Sequence, residues 1–273
     1  MSTASGSLAG STPREGRAFR CGPSWGHATW TELAREGLGA GGERARVVAL
    51  LPVGAVEAHG PHLPLVTDVV IAAAAAEAAL PGLRRLALRP VLLPPLPYTA
   101  APFAAAFPGT ISVRPGTVTA LLVDIAASLE NQGVAALVIV NVHLDPAHLA
   151  SLLEVVHGYP GAMPLIHPDL TEPRWARRLT DEFRSGACHA GCYETSVVMA
   201  AAPELVREES RRRLPENPAS LSVAIRAGKT GFEEAGVVEA YCGDPAAATA
   251  EEGRETLAVL GRIVVDAVEE VVS

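Results

Sequence analysis

Apolar residues in this chain gather into a few dense runs, separated by stretches in which they recur every three or four positions. The run Arg46 to Val53, RVVALLPV, is almost continuously apolar and partly β-branched, the pattern of a strand covered on both faces. Ala135 to Val142, AALVIVNV, repeats it, and Leu86 to Leu93 and Ala162 to His167 predict two further strands. Between them the alanine-rich stretch Val69 to Leu80, the stretch Gly116 to Asn131 ending at Gly133, and DPAHLASLLEVVHG from Asp145 to Gly158 predict helices. Asp68 is placed to cap the first of these, and Asp145 followed by Pro146 reads as N-cap and first helical residue of the last. Near the N-terminus Thr29 and Glu32 offer a capping box for a short helix that the glycines from Gly37 to Gly42 stop. The tail Ala246 to Val272 reads as a long amphipathic helix. Strands alternating with helices at this spacing predict an α/β fold, a three-layer sandwich whose mainly parallel sheet has helices on both faces. With no internal repeat or second core in the pattern, residues 23–273 are expected to form a single domain. Residues 1–22 are expected to be a flexible leader, since they contain arginines but no apolar segment of an export signal.

Composition narrows the partners. A length of 273 residues, 49% of them hydrophobic, is ample for a core with a buried cleft. A formal net charge of −8 repels phosphate backbones and anionic lipid, so neither nucleic acid nor a membrane is an expected partner. The longest apolar tract is mostly alanine, contains Glu77 and is too short to span a bilayer. Four scattered cysteines, Cys21, Cys188, Cys192 and Cys242, are too few to staple a chain this long, which predicts a reducing, cytoplasmic location.

The chemistry begins where the strands end. In open α/β sheets ligands bind beyond the carboxyl ends of the strands, and Glu57, His59 and His143 each follow closely on a predicted core strand. In an extended turn residues two apart point the same way, so Glu57 and His59 of EAHG can face one cavity. Taken alone, this triplet is better read as a solvated loop carboxylate and a surface histidine. Carboxylate and imidazole donors together suit zinc, manganese or iron(II), and a carboxylate can bridge two such ions about 3.5–4 Å apart.

The stretch LPVGAVEAHGPHLPLVTD, Leu51 to Asp68, closely resembles the signature LPVGxxExHGPHLPLxTD of the creatininase family of metal-dependent amidohydrolases. FPGTIS at Phe107 to Ser112, NVH at Asn141 to His143 and HAGCYETS at His189 to Ser196 follow in the family's order, with a weaker echo in GDPAAATAEEG at Gly243 to Gly253. The resemblance implies a creatininase-like fold and two divalent metal ions per chain. Glu57 and His143 would hold one ion, His59 and Glu194 the other, with Asp68 bridging and His189 as proton donor. It implies hydrolysis of a C–N bond in a small amide or cyclic amide through a metal-bridging hydroxide, and a homo-oligomer, as large as a hexamer. A formamide deformylase or a mycofactocin-type peptidase of the same family is an alternative, and so is a catalytically inactive metal-binding subunit.

The chain also departs from the pattern. Most relatives read NGHGGN where this sequence reads NVHLDP, a bulkier loop in which Asp145 could orient water, complete a coordination shell or only cap the helix. Where relatives carry a polar segment before FPGT, this chain has TAAPFAAA, which argues for a smaller or less polar substrate. Cys188 and Cys192 flank His189 but have no second cysteine pair, so a thiolate site is not expected. His62 is placed to support the metal ligands by hydrogen bonding. His27, His148, His157 and His167 lack partners at ligand spacing.

Overall fold

The computed structural model describes residues 24–35, 38–39 and 46–272; the leader and most of the early glycine stop lie outside them. In chain order come α1 (Trp30–Arg35), β1 (Val47–Val53), α2 (Thr67–Arg85), β2 (Arg89–Leu92), α3 (Pro115–Asn131), β3 (Ala136–Asn141), α4 (Pro146–Gly158) and β4 (Leu165–Ile166). The short helices α5 (Pro173–Ala176) and α6 (Asp181–Ser185) lead to α7 (Cys192–Ala201). After it come α8 (Glu208–Arg211), α9 (Leu221–Arg226) and the long α10 (Ala250–Val272).

The four strands form one parallel sheet in the order β2-β1-β3-β4. Every residue of β1 and β3 is buried, as their unbroken apolar runs require. Alternate side chains serve opposite layers. Val48 and Leu50 of β1 and Val138 and Val140 of β3 pack under α2, α7 and α10, while Ala49, Leu51, Leu137 and Ile139 pack under α3 and α4. Each valine, leucine or isoleucine among them contributes about 1.5–3 kcal/mol by leaving water. The fold is therefore the three-layer α/β sandwich with a parallel sheet that the alternation of elements predicts. No helix among the described residues is long and apolar enough to cross a membrane.

Several boundaries differ from the periodicity, each for a local reason. The strand expected over 86–93 shrinks to Arg89–Leu92 because α2 runs on to Arg85 and Ala87 takes a left-handed conformation at φ 56°. The strand expected over 162–167 shrinks to Leu165–Ile166, since Pro164 has no amide hydrogen to pair. The tail helix begins at Ala250, after a separate turn at Pro245–Ala247. Asp68 is not an N-cap: Val66 occupies that position, and Asp68 sits inside the first turn of α2. The expected caps at α1 and α4 do form. The Thr29 amide donates to Glu32 Oε2 at 2.7 Å, and Asp145 Oδ1 accepts from the Ala147 amide at 2.8 Å.

Candidate metal centre

β1 and β3 are adjacent, but the chain leaves them toward opposite edges of the sheet, which opens a crevice beyond their carboxyl ends. The segment after β1 is folded into that crevice by the FPGTIS block. Ile111 donates its amide to Val56 O at 2.8 Å, and Thr110 Oγ1 accepts from the Ala58 amide at 3.1 Å, so Glu57 is clamped on both sides. Gly54 makes the approach of this segment to α2 possible: a Cβ there would lie 2.6–2.7 Å from the backbone of Val69 and the atoms of Asp68. At that distance the Ala55 amide donates to Asp68 Oδ2 at 3.2 Å.

α7 delivers the opposite wall. Ala190 turns the chain with φ 51°, and Glu194, in the first turn of α7, accepts from the Ala190 amide at 2.7 Å. His62 Nε2 lies 2.9 Å from Thr195 Oγ1, so its support goes to the residue after Glu194. Two residues that the sequence did not single out hold this wall in place. Glu182 accepts from the Tyr193 and Asp244 amides, each at 2.8 Å, joining the start of α7 to the GDP segment. Arg211, buried, donates to Pro245 O and Ala246 O at 2.8 Å each. Glu182 has no spacing signature, because its partners lie 11 and 62 residues away.

These elements bring Glu57, His59, Asp68, His143, His189 and Glu194 into one buried cluster. Its centre is the Asp68 carboxylate. Oδ1 lies 3.2 Å from His59 Nε2, and Oδ2 lies 3.1 Å from His143 Nδ1. Glu194 Oε2 adds to the first side at 3.6 Å from His59 Nε2, and Glu57 Oε1 to the second at 3.3 Å from His143 Nδ1. Two groups of donors capable of holding a metal share Asp68: Glu57, Asp68 and His143, and His59, Asp68 and Glu194. A third, Glu57, His59 and His189, lies between them.

Second bonds orient the imidazoles. His59 Nδ1 lies 3.1 Å from Glu57 O, His143 Nε2 lies 2.9 Å from Ala100 O, and His189 Nε2 lies 2.9 Å from Ala58 O. A carbonyl can only accept, so each of these nitrogens carries the hydrogen and the other nitrogen turns its lone pair to the cluster. His59 Nε2 is thus buried, surrounded by carboxylate oxygens and without an aligned hydrogen-bond partner. That is the environment of a metal ligand, and the donor set fits divalent ions.

The electrostatics point the same way. Burial opposes charge on His59, but the attraction of Asp68, with Glu194 and Glu57, prevails and lifts the imidazole to about 10. His143 is likewise raised well above its ordinary value, against burial, chiefly by Glu57 and Asp68. Burial pushes Glu194 up to about 8. Such a cluster demands positive charge, and divalent ions supply it once the imidazole protons leave. His189 behaves differently: burial, and then repulsion from His59, hold it well below its ordinary value, hence neutral. Among the described residues Cys188, Cys192 and Cys242 are in none of the donor groups, and burial pushes Cys192 and Cys242 up to about 12 and Cys188 well above its ordinary value.

Asp145 stands apart. Its Oδ1 caps α4, its Oδ2 accepts from the Phe103 amide at 3.0 Å, and it is in none of the donor groups. Of the roles open to it in the sequence, the helix cap is the one these bonds describe, with a second task of anchoring the apolar loop at Phe103. That loop and the NVHLDP segment line a cavity of about 310 Å³ above the cluster, with Phe103, Val142, Leu144 and Phe232 in its walls. Phe232 packs against His189 with the rings tilted by 45° and their centroids 4.5 Å apart, and His59 lies 4.3 Å from His189 on the same measure. Of the histidines without ligand spacing, His148 bonds Asn141 Oδ1 at 3.0 Å, and Asn141 in turn donates to His143 O at 2.8 Å, so His148 braces the turn that carries His143.

A parallel α/β sheet with carboxylates and imidazoles converging beyond its central strands defines an α/β protein whose buried cluster could hold metal. The family model described as creatinine amidohydrolase matches residues 26–268, and the chain belongs to the creatininase family. It is 31% identical over 212 residues to the mycofactocin precursor peptide peptidase of Mycolicibacterium smegmatis, covering 77% of this chain and 80% of that protein. A Zn-Zn form of a mutant creatininase has the same fold, with a TM-score of 0.67 and 22% identity, covering 90% of this chain and 96% of the other. A manganese form of creatininase aligns with a TM-score of 0.63 and 22% identity, covering 91% and 98%.

Proposed function

We propose that this protein is a metal-dependent amidohydrolase that holds two divalent ions on Glu57, His143, His59 and Glu194, with Asp68 between them. The observation that carries the proposal is the Asp68 carboxylate, which presents one oxygen to each of two histidine-containing donor groups. Zinc, manganese and iron(II) all suit this donor set, and the Zn-Zn and manganese forms of creatininase favour the first two. Bound there, the ions would polarise an amide carbonyl and make water acidic enough to attack at neutral pH.

The chain's own residues do the rest. His189 is neutral, its Nε2 hydrogen is committed to Ala58 O, and its Nδ1 faces Glu57 Oε1 at 4.0 Å. Nδ1 is therefore the atom that takes a proton in the cavity and returns it to the leaving nitrogen. Phe232 packs against that ring, the two planes tilted by 45°, and adds an apolar wall beside it in the cavity. Ala100 O and Asn141 fix His143 from the side away from the cluster.

The bond cleaved is a C–N bond of an amide. A small or cyclic amide fits the volume of the cavity, while the similarity to a precursor peptide peptidase favours a peptide end as a second reading. Metal reconstitution followed by elemental analysis should give close to two ions per chain. None at all would overturn the proposal, and one would remove His59 or Glu194 from the ligand set. Loaded protein should then hydrolyse at least one of creatinine, a set of formamides and a set of short peptides. Bound metal without any turnover would instead favour the inactive metal-binding subunit. The proposal includes self-association of the chain, up to a hexamer, and a monomeric mass by light scattering at micromolar concentration would contradict that part.

A further inference from the structure

The cavity is divided by charge. Among the described residues, every acidic side chain that lines it belongs to the buried floor, namely Glu57, Asp68, Glu194 and the helix-capping Asp145. The two basic side chains that line it, Arg184 and Arg226, are exposed and sit at its outer part, on α6 and α9. Between floor and rim the walls are apolar.

The two arginines are not equivalent. Arg184 is already engaged: it pairs with Asp181 and donates to Leu179 O at 3.0 Å. Arg226 has no ion pair or hydrogen bond among the described residues, whereas Arg174, Arg178, Arg211 and Arg212 each face a carboxylate. In a chain of net charge −8 acids are plentiful, yet among the described residues none is paired with it.

Its helix is also fixed in position. The Leu221 amide donates to Gly186 O at 2.8 Å, and Ser220 Oγ donates to Ser185 O at 2.7 Å, which pins the start of α9 to the end of α6. Leu221 and Ile225 of α9 pack into the cluster that contains Phe103 and Phe232, so Ser222 and Arg226, one position further on, line the cavity above the apolar wall. A guanidinium carried on a helix fixed there, with no partner among the described residues, is a fork of donors matched to a carboxylate.

We propose that Arg226 is a substrate-recognition residue that binds a free carboxylate on an amide substrate, the carboxylate lying at the rim while the scissile amide lies over the buried cluster. The substrate class is then an amide or peptide with an apolar middle and an anionic end. This rests on the amidohydrolase reading for which end of the molecule lies inward. The binding preference itself does not require turnover.

The test is equilibrium binding, by calorimetry, of N-acetyl-leucyl-phenylalanine and of its C-terminal carboxamide to the metal-loaded protein. The free acid is expected to bind about tenfold or more tightly than the carboxamide, the usual worth of a charge-assisted hydrogen bond. Arg226→Gln should abolish that difference while leaving the affinity for the carboxamide and the metal content unchanged. Arg184→Gln should leave most of it.

Three results would overturn the proposal: equal binding of acid and amide, no binding of either, or an acid preference that survives Arg226→Gln. The last would mean that the carboxylate ligates the ions instead. Failure of the hydrolase reading shows elsewhere, as an absence of turnover across the amide panel, and leaves the binding comparison intact.

Discussion

Replacing Asp68 with alanine is expected to strip the protein of both ions and of turnover together. The carboxylate is buried, with one oxygen 3.2 Å from His59 Nε2 and the other 3.1 Å from His143 Nδ1, so its loss removes a donor from each group at once. It also removes a negative charge from a place where cations must be held away from water, where charge compensation is worth most. Loss of Glu194 or Glu57 alone leaves one donor group complete, and removal of one ion before the other is then the expected pattern. Metal content by elemental analysis after reconstitution, set beside turnover, reads the difference. Asp68→Ala protein that still holds close to two ions would refute the bridging geometry, whatever its activity.

His189→Ala is expected to have the opposite signature. Metal content should remain near that of the unmodified protein, while turnover falls by about 10²–10⁴, the usual contribution of a positioned proton-transfer group. The expectation follows from geometry. Asp68 supplies an oxygen to each of the two principal groups, neither of which includes His189, and His189 Nδ1 comes no closer than 4.0 Å to Glu57 Oε1. Its other contacts, the bond to Ala58 O and the tilted ring contacts with Phe232 and His59, hold the ring without help from an ion. If His189→Ala loses metal, the third donor group of Glu57, His59 and His189 is the occupied one, and the ligand assignment must change. If activity is unaffected, the proton passes through another group.

The sequence by itself determined the layers of the fold and the residues of the cluster. Continuous apolar runs at β1 and β3 can be satisfied only by burial on both faces, which required helices above and below, and both layers are present. Elements long enough for their periodicity to dominate, such as α3, α4 and β3, begin and end within a residue or two of expectation. Glu57, His59, Asp68, His143, His189 and Glu194 were legible because they lie inside blocks whose order and spacing resemble one family. Short elements were not legible to the same degree: β2 and β4 are cut by a left-handed alanine and a proline, which act over one residue and leave hydrophobicity unchanged.

The tertiary structure alone decided what each of those residues does to its neighbours. Asp68, read along the chain, looks like a helix cap. It faces two imidazoles instead because Gly54 lets β1's exit loop close on the start of α2, a contact between segments that no local pattern encodes. Asp145, open to three roles on the chain, has both oxygens taken by backbone amides, one local and one 42 residues away. Glu182, Arg211 and Arg226 carried no signal at all, for a common reason. A side chain's partners across the fold are set by how helices and loops pack, and one sequence records only the residue, not the distance that packing gives it.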